Sequence, residues 1–145
     1  MKLYLDNCCL NRLFDDRRYS KIYFERNSIM LILELAESRE FQIIGSQMLF
    51  KEIMDTPNPY KRNVLLAVYS LCSEEIAVTE SILKRAEYIR KWSNIHYKDS
   101  IHLACAETAK ADILLTTDQK FINRAAKIRT SVRVSNPNSW ILEVL

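Results

Sequence analysis

The chain has 145 residues, with 21 Lys plus Arg against 18 Asp plus Glu for a formal net charge of +3. Hydrophobic residues make up 48% and charged residues 27%, a globular balance that excludes a disordered chain, and no apolar run, Ile29 to Leu33 included, is long enough to span a bilayer. One Gly and three Pro argue against an all-β sandwich with its many tight turns and point to a single domain over residues 1–145, rich in helices joined by short connections.

Lys2-Leu3-Tyr4-Leu5-Asp6 predicts a short strand that stops at an acid and turns at Asn7. It reaches Asp6 before any apolar stretch forms, so no signal peptide is expected and the chain is placed in the cytoplasm. Cys8, Cys9, Cys72 and Cys105 contain no C-x-x-C pair and read as reduced, mostly buried thiols. Asp15 and Asp16 read as caps of a long helix in which Ile22, Ile29, Ile32, Leu33 and Ala36 recur at helical spacing until about Arg39. A second strand, Phe41 to Ser46, follows; Ser46 caps a helix from Gln47 to Asp55, which Thr56-Pro57-Asn58-Pro59 ends.

Asn58 and Pro59 open a helix running to about Cys72, and Ile76 to Thr79 reads as a third strand. Thr79 caps a helix with Ile82, Ala86 and Ile89 on one face, and a further helix begins near Asp99. Ile113-Leu114-Leu115-Thr116-Thr117 is a continuous apolar run of the kind buried on both faces of a parallel sheet, and it ends at Asp118. A helix from about Gln119 to Lys127, a fifth strand from Val132 to Ser135 and a helix from about Ser139 complete the chain. Strands alternating with helices imply an α/β layered fold around a parallel sheet, with ligands bound outside the carboxyl ends of the strands.

Asp6 and Asp118 both follow strands directly, which places them on one sheet edge. Glu52, on the helix after the second strand, and Asp99, where a later helix opens, can join them. Carboxylates gathered away from water repel one another and lose hydration, and a divalent cation offsets both penalties. Oxygen ligands without a Cys and His set select Mg²⁺ or Mn²⁺, and the matching chemistry is metal-assisted attack of water on a phosphodiester. Each acid also has a simpler reading. Asp6 can cap a helix, Glu52 can be a solvated face residue, Asp99 an N-cap and Asp118 the start of a turn. His96 and His102 receive no role, and Asp112, which precedes a strand, belongs to the opposite edge.

Arg12, Arg17, Arg18, Lys51, Lys61 and Arg62 flank the proposed edge as candidate phosphate contacts, with Tyr19, Tyr23 and Phe24 as candidate stacking groups. An Asp-nucleophile phosphotransferase is disfavoured, because a phosphatase of the Asp-x-Asp type needs an acid where Cys8 stands.

Four segments resemble the PIN-domain ribonucleases, most closely their VapC-type toxin branch. They are Leu3-Tyr4-Leu5-Asp6; Ser46 to Ile53, which contains Glu52; Tyr97-Lys98-Asp99-Ser100-Ile101-His102-Leu103-Ala104; and Thr116-Thr117-Asp118-Gln119-Lys120-Phe121 with the strand before it. The resemblance implies a three-layer α/β/α fold with a five-stranded parallel sheet, RNA as substrate, and Asp6, Glu52, Asp99 and Asp118 around one or two Mg²⁺ or Mn²⁺ ions. Asn7 and Thr116 would support those ligands from behind. It further implies a homodimer and, in the toxin branch, a small antitoxin as partner. Where the family commonly follows its first Asp with Thr-Asn, this chain has Asn7-Cys8-Cys9. The alternative is a non-catalytic PIN-like scaffold that binds RNA or a protein partner.

Overall fold

A computed structural model describes residues 1–145. In chain order it contains β1 (Lys2–Leu5), α1 (Asn7–Asn11), α2 (Ser20–Glu37), β2 (Gln42–Ser46), α3 (Gln47–Met54), α4 (Pro59–Tyr69), β3 (Cys72–Ile76), α5 (Glu80–Ser93), α6 (Tyr97–Thr108), β4 (Ile113–Leu115), α7 (Gln119–Ala125), β5 (Arg133–Ser135) and α8 (Pro137–Val144). The strands form one sheet in the order β3-β2-β1-β4-β5, and every neighbouring pair is parallel. This is the expected three-layer α/β/α arrangement.

Alternation along the central strands sorts the core into two halves. Tyr4, Ile44 and Leu114 face one layer with α5, α6 and α7, packing on Ile82, Ile89, Leu103 and Phe121. Leu3, Leu5, Ile43, Ile113 and Leu115 face the other, against Ile29 and Ile32 of α2, Leu65 of α4 and Trp140 of α8. Strands buried on both faces need apolar side chains throughout, which is why β1 and β4 read so plainly from the sequence. Gly45 is required by a close approach: a Cβ there would lie 2.7 Å from the Tyr69 hydroxyl oxygen of α4. No helix is long and apolar enough to cross a membrane.

Several boundaries differ from the sequence reading. The third strand is Cys72–Ile76 rather than residues 76–79, and α4 ends at Tyr69. β3 is an edge strand whose Ser73, Glu74 and Glu75 are exposed, so it lacks the apolar signature that marks β4. Asp15 and Asp16 do not cap α2: that helix starts at Ser20 after Tyr19, with no side-chain cap, while Asp15 and Asp16 pair with Arg12 and Arg18. Asp99 is not an N-cap either, since His96 caps α6 through Nδ1, which accepts the Lys98 N–H at 3.3 Å. α8 begins at Pro137, with Asn136 as its cap, rather than at Ser139.

Candidate active site

The register sets the site. Leu5 pairs with Leu115, and Leu115 with Ser135, so the chain leaves β1, β4 and β5 at the same edge. Asp6 is the first residue past β1, and its N–H donates to the Leu115 carbonyl at 3.2 Å, extending the ladder by one step. It is 1% exposed and caps α1, with Oδ1 accepting the Cys9 N–H at 3.0 Å. Its other oxygen, Oδ2, is buried without a hydrogen-bond partner, as is Oδ1 of the adjacent Asn7. Unpaired buried acceptors are uncommon and costly.

Asp118 follows β4 after the buried pair Thr116-Thr117. Its N–H donates to Thr116 Oγ1 at 3.1 Å, and its Oδ1 accepts the N–H groups of Lys120 at 3.0 Å and Phe121 at 3.3 Å. The simpler role is therefore real for both acids, which cap α1 and α7. Capping occupies Oδ1 in each case and leaves Oδ2 of Asp6 unused. Asp99 lies in the first turn of α6, half-buried.

Electrostatics tie these residues together. Burial raises the Asp6 carboxyl, with Glu52 adding to the rise, while the nearby Thr116 hydroxyl, the Cys9 amide and His102 act in the opposite direction. Asp99 is pushed up to about 6, first by desolvation and then by the charges of Asp6 and Asp118. The Cys8 thiol at the rim is pushed up to about 12 by desolvation and by Asp6, Asp99, Asp118 and Glu52, so it stays a thiol. The charges of all four acids thus bear on this thiol. Asp118 lies where two clefts meet, one of about 330 Å³ that includes Asp99, the other of about 430 Å³ that includes Asn7, Cys8, Arg12 and Glu52.

Glu52 is held in a way the sequence did not reveal. Its Oε1 is hydrogen-bonded to Nε2 of His102, a residue 2% exposed on α6. His102 Nδ1 meets the Tyr4 hydroxyl at 2.6 Å, and that hydroxyl meets Ser46 Oγ at 2.7 Å. Ser46 Oγ also accepts the Leu49 N–H that starts α3. With Glu52 ionised, one assignment satisfies every atom: Ser46 donates to Tyr4, Tyr4 to Nδ1, and Nε2–H to Glu52. His102 lies one turn beyond Asp99 on α6, and that i, i+3 spacing was the available signal. As the side chains stand, no three His, Cys, Asp or Glu groups converge closely enough to chelate one ion.

Three of the six candidate phosphate contacts are already occupied. Arg12 pairs with Glu25 and Asp15, Arg18 with Asp16 and Lys51 with Asp55. Tyr19, just before α2, and Tyr23 and Phe24 on it are exposed.

No protein-family model and no curated protein matches the sequence. Solved structures do match the fold. The chain is similar to one in the crystal structure of VapBC2 from Rickettsia felis bound to a DNA fragment from their promoter, at 16% identity and a TM-score of 0.58, covering 94% of this chain and 98% of that one. It is also similar to a chain of a toxin-antitoxin complex from Klebsiella pneumoniae, at 18% identity and a TM-score of 0.60, covering 90% of this chain and 98% of that one. At this level of identity the likeness is one of fold, and the fold is the VapC-like PIN arrangement.

Proposed function

We propose that this chain is a metal-dependent endoribonuclease that hydrolyses RNA phosphodiester bonds, acting as the toxin of a toxin-antitoxin pair. The observation that carries the reading is the buried Oδ2 of Asp6, left without a hydrogen-bond partner at the strand-end edge where Asp118 also follows a strand. The donor chemistry fits a hard cation. The free acceptors are carboxylate and amide oxygens, and the nearby thiols of Cys8 and Cys9 are held protonated. Asp6, Glu52, Asp99 and Asp118 would hold Mg²⁺ or Mn²⁺, and the bound cation would offset their repulsion, stabilise charge on a phosphate and acidify an attacking water.

The protein's own groups supply the rest. Thr116 fixes the turn that presents Asp118, and the His102–Tyr4–Ser46 chain holds Glu52 at the rim. An antitoxin partner is supported by the fold's likeness to chains of toxin-antitoxin complexes. A homodimer in the cytoplasm completes the proposal.

The test is cleavage of a pool of labelled RNAs by purified protein with Mn²⁺, with EDTA, and with Asp99→Asn. Cutting that needs Mn²⁺ and is lost in the variant is the expected result; equal cutting by Asp99→Asn and Asp6→Asn overturns the site. A second reading, a non-catalytic scaffold for RNA or protein, is favoured by one feature: no three carboxylates converge, and Glu52 is engaged by His102. A Mn²⁺-induced rise in melting temperature that Asp6→Asn abolishes decides against it.

A further inference from the structure

We infer that the groove between α5 and α7 is a binding track for single-stranded RNA, leading from the carboxylate edge to an aromatic platform formed by Tyr88 and Trp92. The track deepens the ribonuclease reading above and takes its choice of polyanion from it. Two separate depressions lie along the groove. The first, at Asp99 and Asp118, includes Lys120 and Arg124; the second, of about 220 Å³, lies between Tyr88, Trp92, Lys127 and Arg129. They share a helix pair. Arg124 Nη1 donates to the Asn94 carbonyl at 3.0 Å, which joins α7 to the left-handed residue that ends α5, two positions past Trp92.

Away from Asp99 and Asp118 the charged residues lining the two depressions are basic, and of these only Arg85 is paired, with Glu107. Lys120, Arg124, Lys127 and Arg129 form no ion pair, in contrast to Arg12, Arg18 and Lys51, which carboxylates already neutralise. Their spacing around α7 and the turn after it, three residues from Arg124 to Lys127, keeps them on the groove side. The aromatics are exposed, and each has a basic side chain beside its ring, Arg85 Cζ lying 5.4 Å from the Tyr88 centroid. Trp92 is 65% and Tyr88 56% exposed, with ring centroids 6.1 Å apart, and Lys91 Nζ lies 5.9 Å from the Trp92 centroid. A phosphate next to a base stacked on Trp92 would meet that ammonium.

Cations without carboxylate partners beside exposed aromatic rings suit a chain that offers alternating phosphates and unpaired bases. A duplex keeps its bases inside, and an acidic protein segment would pair with the cations but offer no bases to stack on Tyr88 and Trp92. The groove also gives the acidic edge what it lacks. Carboxylates repel a polyanion, so affinity has to come from a surface beside them.

The experiment is fluorescence anisotropy of a labelled 12-nucleotide single-stranded RNA with the full chain in EDTA, from 50 to 200 mM salt. Trp92→Ala is expected to weaken binding by about fivefold or more, the loss of one stacked base. Lys127→Glu/Arg129→Glu is expected to weaken it by about tenfold or more and to flatten the log Kd against log salt slope by about 1.4, two single-strand phosphate contacts. All three sites are exposed, so melting temperatures stay at the wild-type value. RNA should also quench wild-type tryptophan emission, and Trp92→Ala, which leaves only the buried Trp140, should not respond. Absence of RNA binding by the wild type, or retention of wild-type affinity by either variant, overturns the track and leaves the platform to a protein. Because binding is read without metal, failure of RNA cutting removes the nuclease and leaves the track standing; cutting with unchanged binding in both variants removes the track alone.

Discussion

Two carboxylates are buried close to completely in this molecule, and their surroundings are opposite. Glu25 of α2 is 0% exposed, with Oε1 accepting from Arg12 Nε at 3.0 Å and Oε2 from Asn136 Nδ2 at 2.5 Å. Its cation is built in, and the cluster ties the end of α1 to α2 and to the cap of α8. Asp6 is buried as deeply, yet one oxygen has no partner and the charges around it include Glu52 and Asp99. A buried charge with a resident partner serves the fold; one surrounded by like charges is held against the fold's interest and points to a ligand.

The largest expected effect tests the first half of that contrast. Arg12→Met leaves Glu25 buried without its cation, and the loss of stability is expected to be about 3–5 kcal/mol in urea unfolding. A loss below about 1 kcal/mol would remove the distinction between the two sites. Next comes the missing cation itself. Mn²⁺ at a hundred times its Kd is expected to stabilise the wild type by about 2.7 kcal/mol, and Asp6→Asn should show none of it. The shift should shrink as pH falls from 7 to 5, because Asp99 takes up a proton near about 6.

Without metal, removing a charge from the acidic edge should help. The folded carboxyl of Asp99 lies near about 6, above its ordinary value of 3.8. Its ionised form therefore penalises folding above pH 6, and the penalty disappears below about pH 4, where both states are protonated. Asp99→Asn is expected to raise stability at pH 7.5 in EDTA by about 1–3 kcal/mol, a melting shift of roughly 3–8 °C, and to have no such effect at pH 4. A variant less stable than wild type at both pH values would show that Asp99 is placed for structure.

How much of this could be read beforehand follows the same physics. β1 and β4 lie in the middle of the sheet, so burial on both faces writes itself into Leu3, Leu5 and Ile113 to Leu115, and the acids after them were visible at once. β3 is an edge strand with Glu74 and Glu75 in water, and no apolar pattern gave it away. Glu25 also escaped, because a Glu on an amphipathic helix reads as solvated and only the approach of Arg12 and Asn136 from distant segments shows otherwise. The unpaired cations of α7 and Trp92 of α5 were missed for a related reason: nothing in their local sequence separates a charge with a carboxylate partner from one without.

The smallest expected effect concerns the hydrogen-bond chain behind Glu52, where the two halves of the comparison meet. Ser46, Tyr4 and His102 are buried polar groups with every donor matched to an acceptor, as at Glu25, but the chain ends on a carboxylate of the acidic edge. Tyr4→Phe removes the central hydroxyl and keeps the ring that packs edge-on to His102, so core volume is preserved and the cost is hydrogen bonding alone, about 1–2 kcal/mol. If the chain serves only the core, that cost is the same whether or not Glu52 is present. If it holds Glu52 in place, the effects of Tyr4→Phe and Glu52→Gln are coupled, and the double variant should be less destabilised than the sum of the singles by about 0.5–1 kcal/mol. The coupling is expected because the proton arrangement runs one way. Tyr4 donates to Nδ1, which fixes the hydrogen on Nε2 facing Glu52, and losing the tyrosine hydroxyl releases that constraint on the ring. Additive effects would place the histidine with the core and leave Glu52 free to turn toward Asp118.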